Sequence, residues 1–226
     1  MTNLSPGPLN ADSVSGLSYR LMQPQPSSAR RCLVLLHGVG SNELSVASLA
    51  QGVEDDTLVV LAQGPLTLGP QQFAWFQVAF TSSGPRIVPE QAERSRLDLV
   101  QLLSELQQQF GVRPEQTVIA GFSQGGIMSA GVALTSPGSV TGFGLLSGRI
   151  LPEIEPLLSS KERLANLKGF IGHGEYDSKL PIDWAYRAHE WLIKLSVTHT
   201  MKLYPIDHSI SEQMHADFLH WWAQLG

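Results

Sequence analysis

Short apolar runs that alternate with helical segments constrain the fold of this chain more than any other feature. The runs span residues 32–36, 57–62, 117–120, 141–146, 167–171 and 200–204. Most are followed by Gly, Pro or His, and continuous apolar runs of this length are typical of strands buried on both faces of a sheet. The pattern therefore predicts a largely parallel sheet.

Three longer segments carry helical patterns. In residues 89–110 apolar side chains recur every three or four positions, and Gly111 stands where a left-handed cap is expected. These apolar positions are Leu97, Val100, Leu103, Leu106 and Phe110. Residues 181–195 and 211–225 begin with Pro and Ser and also carry apolar faces. Strands alternating with helices predict an α/β protein with helices on both faces of the sheet, whose ligands bind outside the carboxyl ends of the strands.

Composition limits the possible classes of function. The 226 residues, 42% hydrophobic and 15% charged, predict a single domain over residues 1–226, with a flexible N-terminus over residues 1–16. The net charge of −5 comes without a long run of one sign, which argues against a nucleic-acid partner. Cys32 lies in an apolar run and is interpreted as a core residue. No signal peptide or long apolar run is present, so we expect a cytoplasmic protein without stable membrane insertion.

The segment Gly121-Phe122-Ser123-Gln124-Gly125 carries the most specific motif of the chain. A short apolar run precedes it and small residues follow, which is the context of the nucleophile elbow of α/β-hydrolases. A Gly/Ser turn can match such a five-residue pattern by chance, but the strand before it and the helix after it favour a catalytic Ser123.

A serine nucleophile needs a base within hydrogen-bond reach. Downstream of Ser123 the chain has six histidines: His173, His189, His199, His208, His215 and His220. His208 follows the predicted strand 200–204 and precedes the last helix, so it lies in a loop at the carboxyl edge of the sheet. His173, in a tight turn between two glycines, is interpreted as structural. The others fall in helices or before a strand, which leaves His208 as the predicted base.

An acidic residue must hold the tautomer of that base, and in this fold it lies between the serine and the histidine in chain order. The candidates are Glu175, Asp177, Asp183 and Asp207. Asp177 follows the strand 167–171 by a short loop and is predicted to be the acid, with Glu175 as the fallback. Asp207 is adjacent to His208 in the chain, and Asp183 falls in the first turn of a helix, where acids are common.

Acyl transfer also needs donors for the oxygen that becomes negative. The backbone N–H of Gln124, directly after the nucleophile, is the first predicted donor, and the N–H of Val39 in the turn His37-Gly38-Val39-Gly40 is the second. The alternative is a phosphate-binding turn, but the glycine spacing and the Lys-Ser/Thr pair of such turns are missing.

Taken together, these motifs resemble the phospholipase/carboxylesterase family, which includes acyl-protein thioesterases. The resemblance spans roughly residues 30 to 225 and rests on an ordered set: Leu35-Leu36-His37-Gly38-Val39-Gly40, Ala74-Trp75-Phe76, Gly121-Phe122-Ser123-Gln124-Gly125-Gly126, Leu146-Ser147-Gly148, Gly172-His173-Gly174-x-x-Asp177-x-x-Leu180-Pro181 and Tyr204-Pro205-x-x-His208-x-Ile210-Ser211. It implies an α/β-hydrolase fold, the triad Ser123, Asp177 and His208, and the oxyanion donors Val39 and Gln124.

The chain departs from this family at two positions. Gln77 stands where the family often has Asp, and Arg149 stands where some members have an aromatic residue. Both positions are predicted to affect the acyl pocket. Trp75, Phe76, Val78 and Phe80 are further candidates for its lining, because their loop lies between the oxyanion turn and the nucleophile in the sequence, although aromatic residues at this spacing are equally typical of a core. The segment 64–76 looks more like the small bacterial esterases of the family.

The sequence thus predicts a serine carboxylesterase, or a thioesterase or lysophospholipase, that acts on short or medium acyl esters without a metal or other cofactor. Its expected partner is a small ester or thioester, and a homodimer stays an open alternative. The competing interpretations are a peptidase or lipase with the same triad, and an inactive hydrolase fold that only binds ligands.

Overall fold

The computed structural model describes residues 4–81 and 84–225. Strands in these residues are β1 Ser5–Ala11, β2 Ser18–Gln23, β3 Arg31–Leu36, β4 Thr57–Gln63, β5 Leu66–Gly69, β6 Gln72–Ala74, β7 Val78–Thr81, β8 Gly84–Ile87, β9 Thr117–Phe122, β10 Gly142–Leu146, β11 Lys168–Gly174 and β12 Thr198–Tyr204. The α-helices are α1 Pro89–Phe110, α2 Gln124–Thr135, α3 Lys161–Leu164, α4 Asp183–Lys194 and α5 Glu212–Ala223. Short 3₁₀ segments are Glu43–Ala50, Pro114–Gln116, Pro137–Ser139 and Pro152–Leu157.

Eight strands form the central sheet in the order β1-β2-β4-β3-β9-β10-β11-β12. The six strands β4, β3, β9, β10, β11 and β12 run parallel to one another. At one edge of the sheet β2 pairs antiparallel with β4, and β1 pairs antiparallel with β2. The predicted α/β class with a mostly parallel sheet is confirmed. Because the chain passes from β3 to β4 on one side and later returns to β9 on the other, the order reverses between β3 and β9. The carboxyl ends of β3 and β9 are where ligands of such sheets bind.

Strand β3 shows how the sheet divides the core. Cys32, Val34 and Leu36 point into the apolar layer that includes α1, α2 and α4, whereas Leu33 and Leu35 point into the layer beneath Glu43–Ala50 and α5. All five side chains are buried, and full burial of a leucine-sized side chain stabilises the fold by roughly 1.5–3 kcal/mol. The continuous apolar run at residues 32–36 is therefore what a strand covered on both faces requires.

Part of the segment 1–16, which the sequence predicts to be flexible, is a strand in the structure. Ser5–Ala11 forms β1 and pairs with β2 across a register shift between Pro6 and Leu9. Pro lacks an N–H but is tolerated in an edge strand, where one side of the ladder is unpaired. The strand is mostly exposed, so it lacks the apolar pattern that marks the buried strands. Residues 1–3 lie outside the described residues.

Helix α1 begins and ends at the predicted residues, but its apolar face differs slightly from the predicted one. Leu99, Leu102, Leu103 and Leu106 are buried, whereas Leu97 is 49% exposed. Gly111 caps the helix in the left-handed conformation, with φ 66°. Two small hairpins, β5–β6 and β7–β8, lie in the connection between β4 and α1. No apolar run in the sequence predicts them. Among the described residues, none of the helices combines the length and apolarity needed to cross a membrane.

Burial gives the single thiol a testable property. Cys32 is 1% exposed, and burial raises its pKa to about 12, so the reactive thiolate is scarce at neutral pH. We expect the folded protein not to react with a chromogenic disulfide reagent at pH 8 within hours, and to react completely once it is unfolded in guanidinium chloride. The Cys32→Ala protein, which has no thiol, should give no signal in either state. Rapid reaction of the folded protein would contradict this packing.

Candidate active site

Ser123 occupies the sharp turn between β9 and α2. Its backbone, at φ 55° and ψ −117°, lies in a region that residues with a side chain rarely adopt. The Ser123 N–H donates to the Leu146 carbonyl at 2.8 Å, which ties the turn to the end of β10. A Cβ on Gly121 would overlap the Gly125 main chain, and a Cβ on Gly125 would overlap the Leu36 carbonyl. Glycine at both positions therefore permits the close approach of β3, β9 and α2 that forms the turn.

The three residues predicted as a triad come together in the structure. The Ser123 hydroxyl donates to His208 Nε2 at 2.9 Å, and His208 Nδ1–H donates to Asp177 Oδ2 at 2.7 Å. His208 lies in the loop after β12, and its ring packs against Phe122, with ring centroids 4.8 Å apart. A histidine with an occupied Nδ1–H presents the unprotonated Nε2 that can accept a proton from the hydroxyl.

Asp177 is held by its own loop as well as by His208. Its other oxygen, Oδ1, accepts hydrogen bonds from the amides of Lys179 at 2.9 Å and Leu180 at 2.7 Å. Burial alone would raise the pKa of Asp177, but the hydrogen bonds from His208 and the two amides outweigh burial and hold the pKa below its usual value. The carboxylate is therefore ionised and oriented toward the imidazole at neutral pH.

The other acidic candidates do not contact the His208 ring in the described part of the chain. Glu175 is exposed, and Asp183 starts α4. Asp207 accepts from the amides of Ser178 and His208, both at 2.7 Å, so it fixes the backbone of the two loops rather than the imidazole.

His173 has a structural position that its sequence context only partly indicated. It is fully buried, its Nε2–H donates to the Leu180 carbonyl at 2.8 Å, and the same nitrogen lies 3.5 Å from Asp177 Oδ2. Burial lowers the pKa of His173, which keeps the ring neutral. Its Nδ1 finds no hydrogen-bond partner among the described residues. His173 thus supports the loop that carries Asp177.

The turn after β3 is held by His37. Its Nδ1–H donates to the Gly38 carbonyl at 2.7 Å, while Nε2 accepts from the Gly64 amide at 2.9 Å. Burial lowers the pKa of His37 and favours this neutral form. Because the C=O and N–H of a trans peptide point in opposite directions, the Val39 N–H is directed away from the His37 ring. Within the described residues, the N–H groups of Val39 and Gln124 donate to no acceptor.

The side chain of Gln124 connects the elbow to residues 75 and 76, a contact that the sequence did not suggest. Its Oε1 accepts from the Trp75 amide and its Nε2 donates to the Phe76 carbonyl, both at 2.7 Å. The expectation that Trp75 lines the pocket is corrected: its side chain is fully buried, and its indole N–H donates to the His37 carbonyl at 2.9 Å. Trp75 is thus part of the core that supports the turn after β3.

A cavity of about 870 Å³ opens over Ser123. Its walls include Val39, Phe76, Val78, Gln124, Arg149 and His208. Phe76 and Arg149 line this cavity, although Phe76 is only 1% exposed and also packs in the core with Trp75. The side chain of Phe80 falls outside the described residues. Among the residues described, no three His, Cys, Asp or Glu side chains cluster as metal ligands would.

The sheet order and the strand-to-helix turn at Ser123 define an α/β-hydrolase-fold protein. Comparison with known proteins gives the family: the phospholipase/carboxylesterase model matches residues 19–224, and the chain belongs to that family. It is therefore a hydrolase enzyme.

Two curated relatives have similar sequences over most of the chain. Acyl-protein thioesterase 1 of Kluyveromyces lactis is 27% identical over 198 residues, which cover 83% of each chain. Esterase YpfH of Escherichia coli is 27% identical over 184 residues, which cover 76% of this chain and 73% of the relative. A crystal structure of a Mesorhizobium loti carboxylesterase has a TM-score of 0.81 at 21% identity, covers 95% of this chain and 98% of its own, and shows the shared fold.

Proposed function

We propose that this hydrolase cleaves carboxylic esters, with thioesters as the nearest alternative, by transferring the acyl group to Ser123. One observation carries the proposal: hydrogen bonds run without a break from the Ser123 hydroxyl through the His208 ring to Asp177. The names of the relatives, an acyl-protein thioesterase and an esterase, support this choice of bond. Two things are proposed here: that Ser123, His208 and Asp177 act as a catalytic triad, and that the substrates are carboxylic esters or thioesters.

In the first half of the reaction, His208 Nε2 accepts the proton of the Ser123 hydroxyl as Oγ bonds to the acyl carbon. Asp177 stabilises the imidazolium that forms. The carbonyl oxygen becomes negative and accepts from the N–H groups of Val39 and Gln124. Gln124 is the first residue of α2, so the dipole of the helix also favours this charge. The bond to the alcohol or thiol then breaks, and His208 returns its proton to the leaving group.

In the second half, His208 accepts a proton from water, whose oxygen bonds to the acyl carbon of the Ser123 ester. The same two amides stabilise the second tetrahedral intermediate. When it collapses, the carboxylic acid leaves and the proton on His208 returns to Ser123 Oγ. No metal or redox group is required for either half, because the triad supplies both the base and the acid.

The acyl specificity that we propose is for short or medium chains, with lysophospholipids as a further alternative. Phe76, Val78 and Ile127 give the cavity wall its apolar character. The same triad could serve a peptidase or a lipase, and a fold that only binds ligands would not form an acyl-enzyme.

A fluorophosphonate probe tests the proposal, since it reacts only with an activated serine. We expect stoichiometric labelling, mapped to Ser123 by mass spectrometry of the digested protein. Replacement of Asp177 by Asn should slow labelling by roughly 10⁴-fold, because the imidazole loses both its tautomer and its counter-charge.

The Asp207→Asn protein is the matched control for this experiment. Asp207 adjoins His208 in the chain and accepts two amide hydrogen bonds, but it makes none with the ring. Its labelling rate should stay within a few-fold of the wild-type rate. An unlabelled wild-type protein would support the inactive, ligand-binding fold instead.

A further inference from the structure

Arg149 is a buried cation in the wall of the cavity over Ser123. It lies three residues after the end of β10 and is 5% exposed. Its guanidinium packs over the ring of Trp184, with Cζ 4.6 Å from the ring centroid, so the side chain is held in a defined position. The same cavity is lined by Ser123 and His208.

This guanidinium lacks the partners that other half-buried or buried arginines of the chain have. Arg20 bonds to Glu43 at 2.6 Å, and Arg96 bonds to Glu93 at 2.7 Å. Within residues 4–81 and 84–225, by contrast, Arg149 forms no ion pair and donates no hydrogen bond. Burial lowers its pKa, and Glu153 opposes the shift without reaching ion-pair distance. A buried charge without an ion pair or hydrogen bonds is costly, and a bound anion would lower that cost.

The charged residues that line the cavity also favour an anionic ligand. Among the described residues that line it, Arg149 and the exposed Lys179 are cationic, and none is Asp or Glu. The chain as a whole carries a net charge of −5, so the charge of the cavity lining is opposite in sign to that of the whole chain. Low-dielectric walls that carry one sign of charge attract ligands of the opposite sign.

We propose that Arg149 binds a carboxylate that the substrate carries in addition to its scissile ester. The inference rests on the proposed function and narrows its substrate class to esters or thioesters with an anionic end. The planar guanidinium can donate two parallel hydrogen bonds to a carboxylate. One buried cation balances one negative charge, which matches a carboxylate better than a phosphate monoester, whose charge at neutral pH is about −1.5 to −2.

Paired substrates test this assignment on each side of the scissile bond. On the acyl side, 4-nitrophenyl hydrogen adipate is compared with 4-nitrophenyl hexanoate. On the alcohol side, 4-acetoxybenzoate is compared with its methyl ester. The readout is the ratio of kcat/KM for the anionic member over that for the neutral member. We expect Arg149→Met to lower this ratio by about 10- to 100-fold in one of the two pairs, the size expected for a lost hydrogen bond to a charged group.

Three further variants make the result interpretable. Arg149→Lys keeps the positive charge but cannot donate two parallel hydrogen bonds to a carboxylate, so it should give an intermediate ratio. Arg187→Met is the matched control, since Arg187 packs on the same Trp184 ring at 4.9 Å but is exposed and outside the cavity lining, and its ratio should stay at the wild-type value. Lys179→Met should lower the ratio less than Arg149→Met does.

The pair whose ratio falls identifies the side of the ester that carries the carboxylate. A ratio unchanged by Arg149→Met in both pairs, or an equal fall with Lys179→Met, would overturn the assignment. Fluorophosphonate labelling of each variant is measured in parallel. Labelled Ser123 with an unchanged ratio rejects only the role of Arg149, whereas absent labelling in the wild-type protein rejects the proposed function itself.

Discussion

Replacement of Ser123 by alanine is expected to lower kcat by roughly 10⁶-fold, because the acyl group then has no hydroxyl to receive it. His208 and Asp177 keep each other's hydrogen bond, so the fold should persist and only the residual effect of the oxyanion donors should remain. The measurement is turnover of 4-nitrophenyl esters and thioesters of increasing acyl length. The same panel reports the acyl preference and the choice between ester and thioester in the wild-type protein.

Ser48→Ala is a suitable control for this measurement. Ser48 lines the same cavity from the Glu43–Ala50 segment, and loss of its hydroxyl should change kcat by no more than a few-fold. A Ser123→Ala protein that kept full esterase activity would show that the nucleophile lies elsewhere.

Replacement of Gly125 by alanine should have the largest effect on stability. The new Cβ would overlap the Leu36 carbonyl and lie 2.7 Å from the His37 carbonyl oxygen. Both are main-chain atoms at the end of β3, so relief requires α2 to move away from the sheet, and overpacking of this kind costs about 3 kcal/mol or more. We expect a much lower unfolding midpoint in guanidinium chloride, or a protein that fails to fold.

Gly138→Ala provides the comparison. No heavy atom lies within 4 Å of the position of its Cβ, and Gly138 is exposed in the Pro137–Ser139 segment. The free energy of unfolding should change by no more than about 0.5 kcal/mol. If Gly125→Ala were as stable as Gly138→Ala, the close contact between α2 and β3 would be wrong.

The elements predicted best from the sequence are those whose burial produces a recognisable apolar pattern, either a continuous run in a strand or a helical repeat. The parallel strands β3, β4, β9, β10, β11 and β12 each contain most of a predicted apolar run, and α1 has its predicted bounds. The exposed edge strand β1 and the hairpins β5–β6 and β7–β8 have no such mark, since cross-strand pairing rather than a buried face forms them. Leu97 is exposed, although the sequence predicts it on the buried face of α1. The closely spaced leucines of this helix fit two overlapping apolar faces, and the pattern alone does not choose between them.

At the site, chain order and loop position were enough to select Ser123, Asp177 and His208, whose side chains the structure brings together. The supporting contacts of Gln124 could not be predicted in this way. Gln124 and Trp75 are 49 positions apart, and nothing in either local pattern indicates that they meet. The sequence leaves open whether Trp75 lines the pocket or lies in the core, because large aromatic side chains suit both, and only the packing decides between them.

The hydrogen bonds of Gln124 have a consequence for how this hydrolase can acquire new substrates. The amide group of Gln124 binds only main-chain atoms of Trp75 and Phe76, so the link does not depend on which apolar side chain of similar volume fills the buried position 76. Phe76 lines the cavity, and the backbone that carries it stays attached to Gln124, the residue directly after Ser123. Apolar replacements of similar volume at position 76 can therefore reshape the cavity wall while the attachment of this segment to the turn at Ser123 is kept.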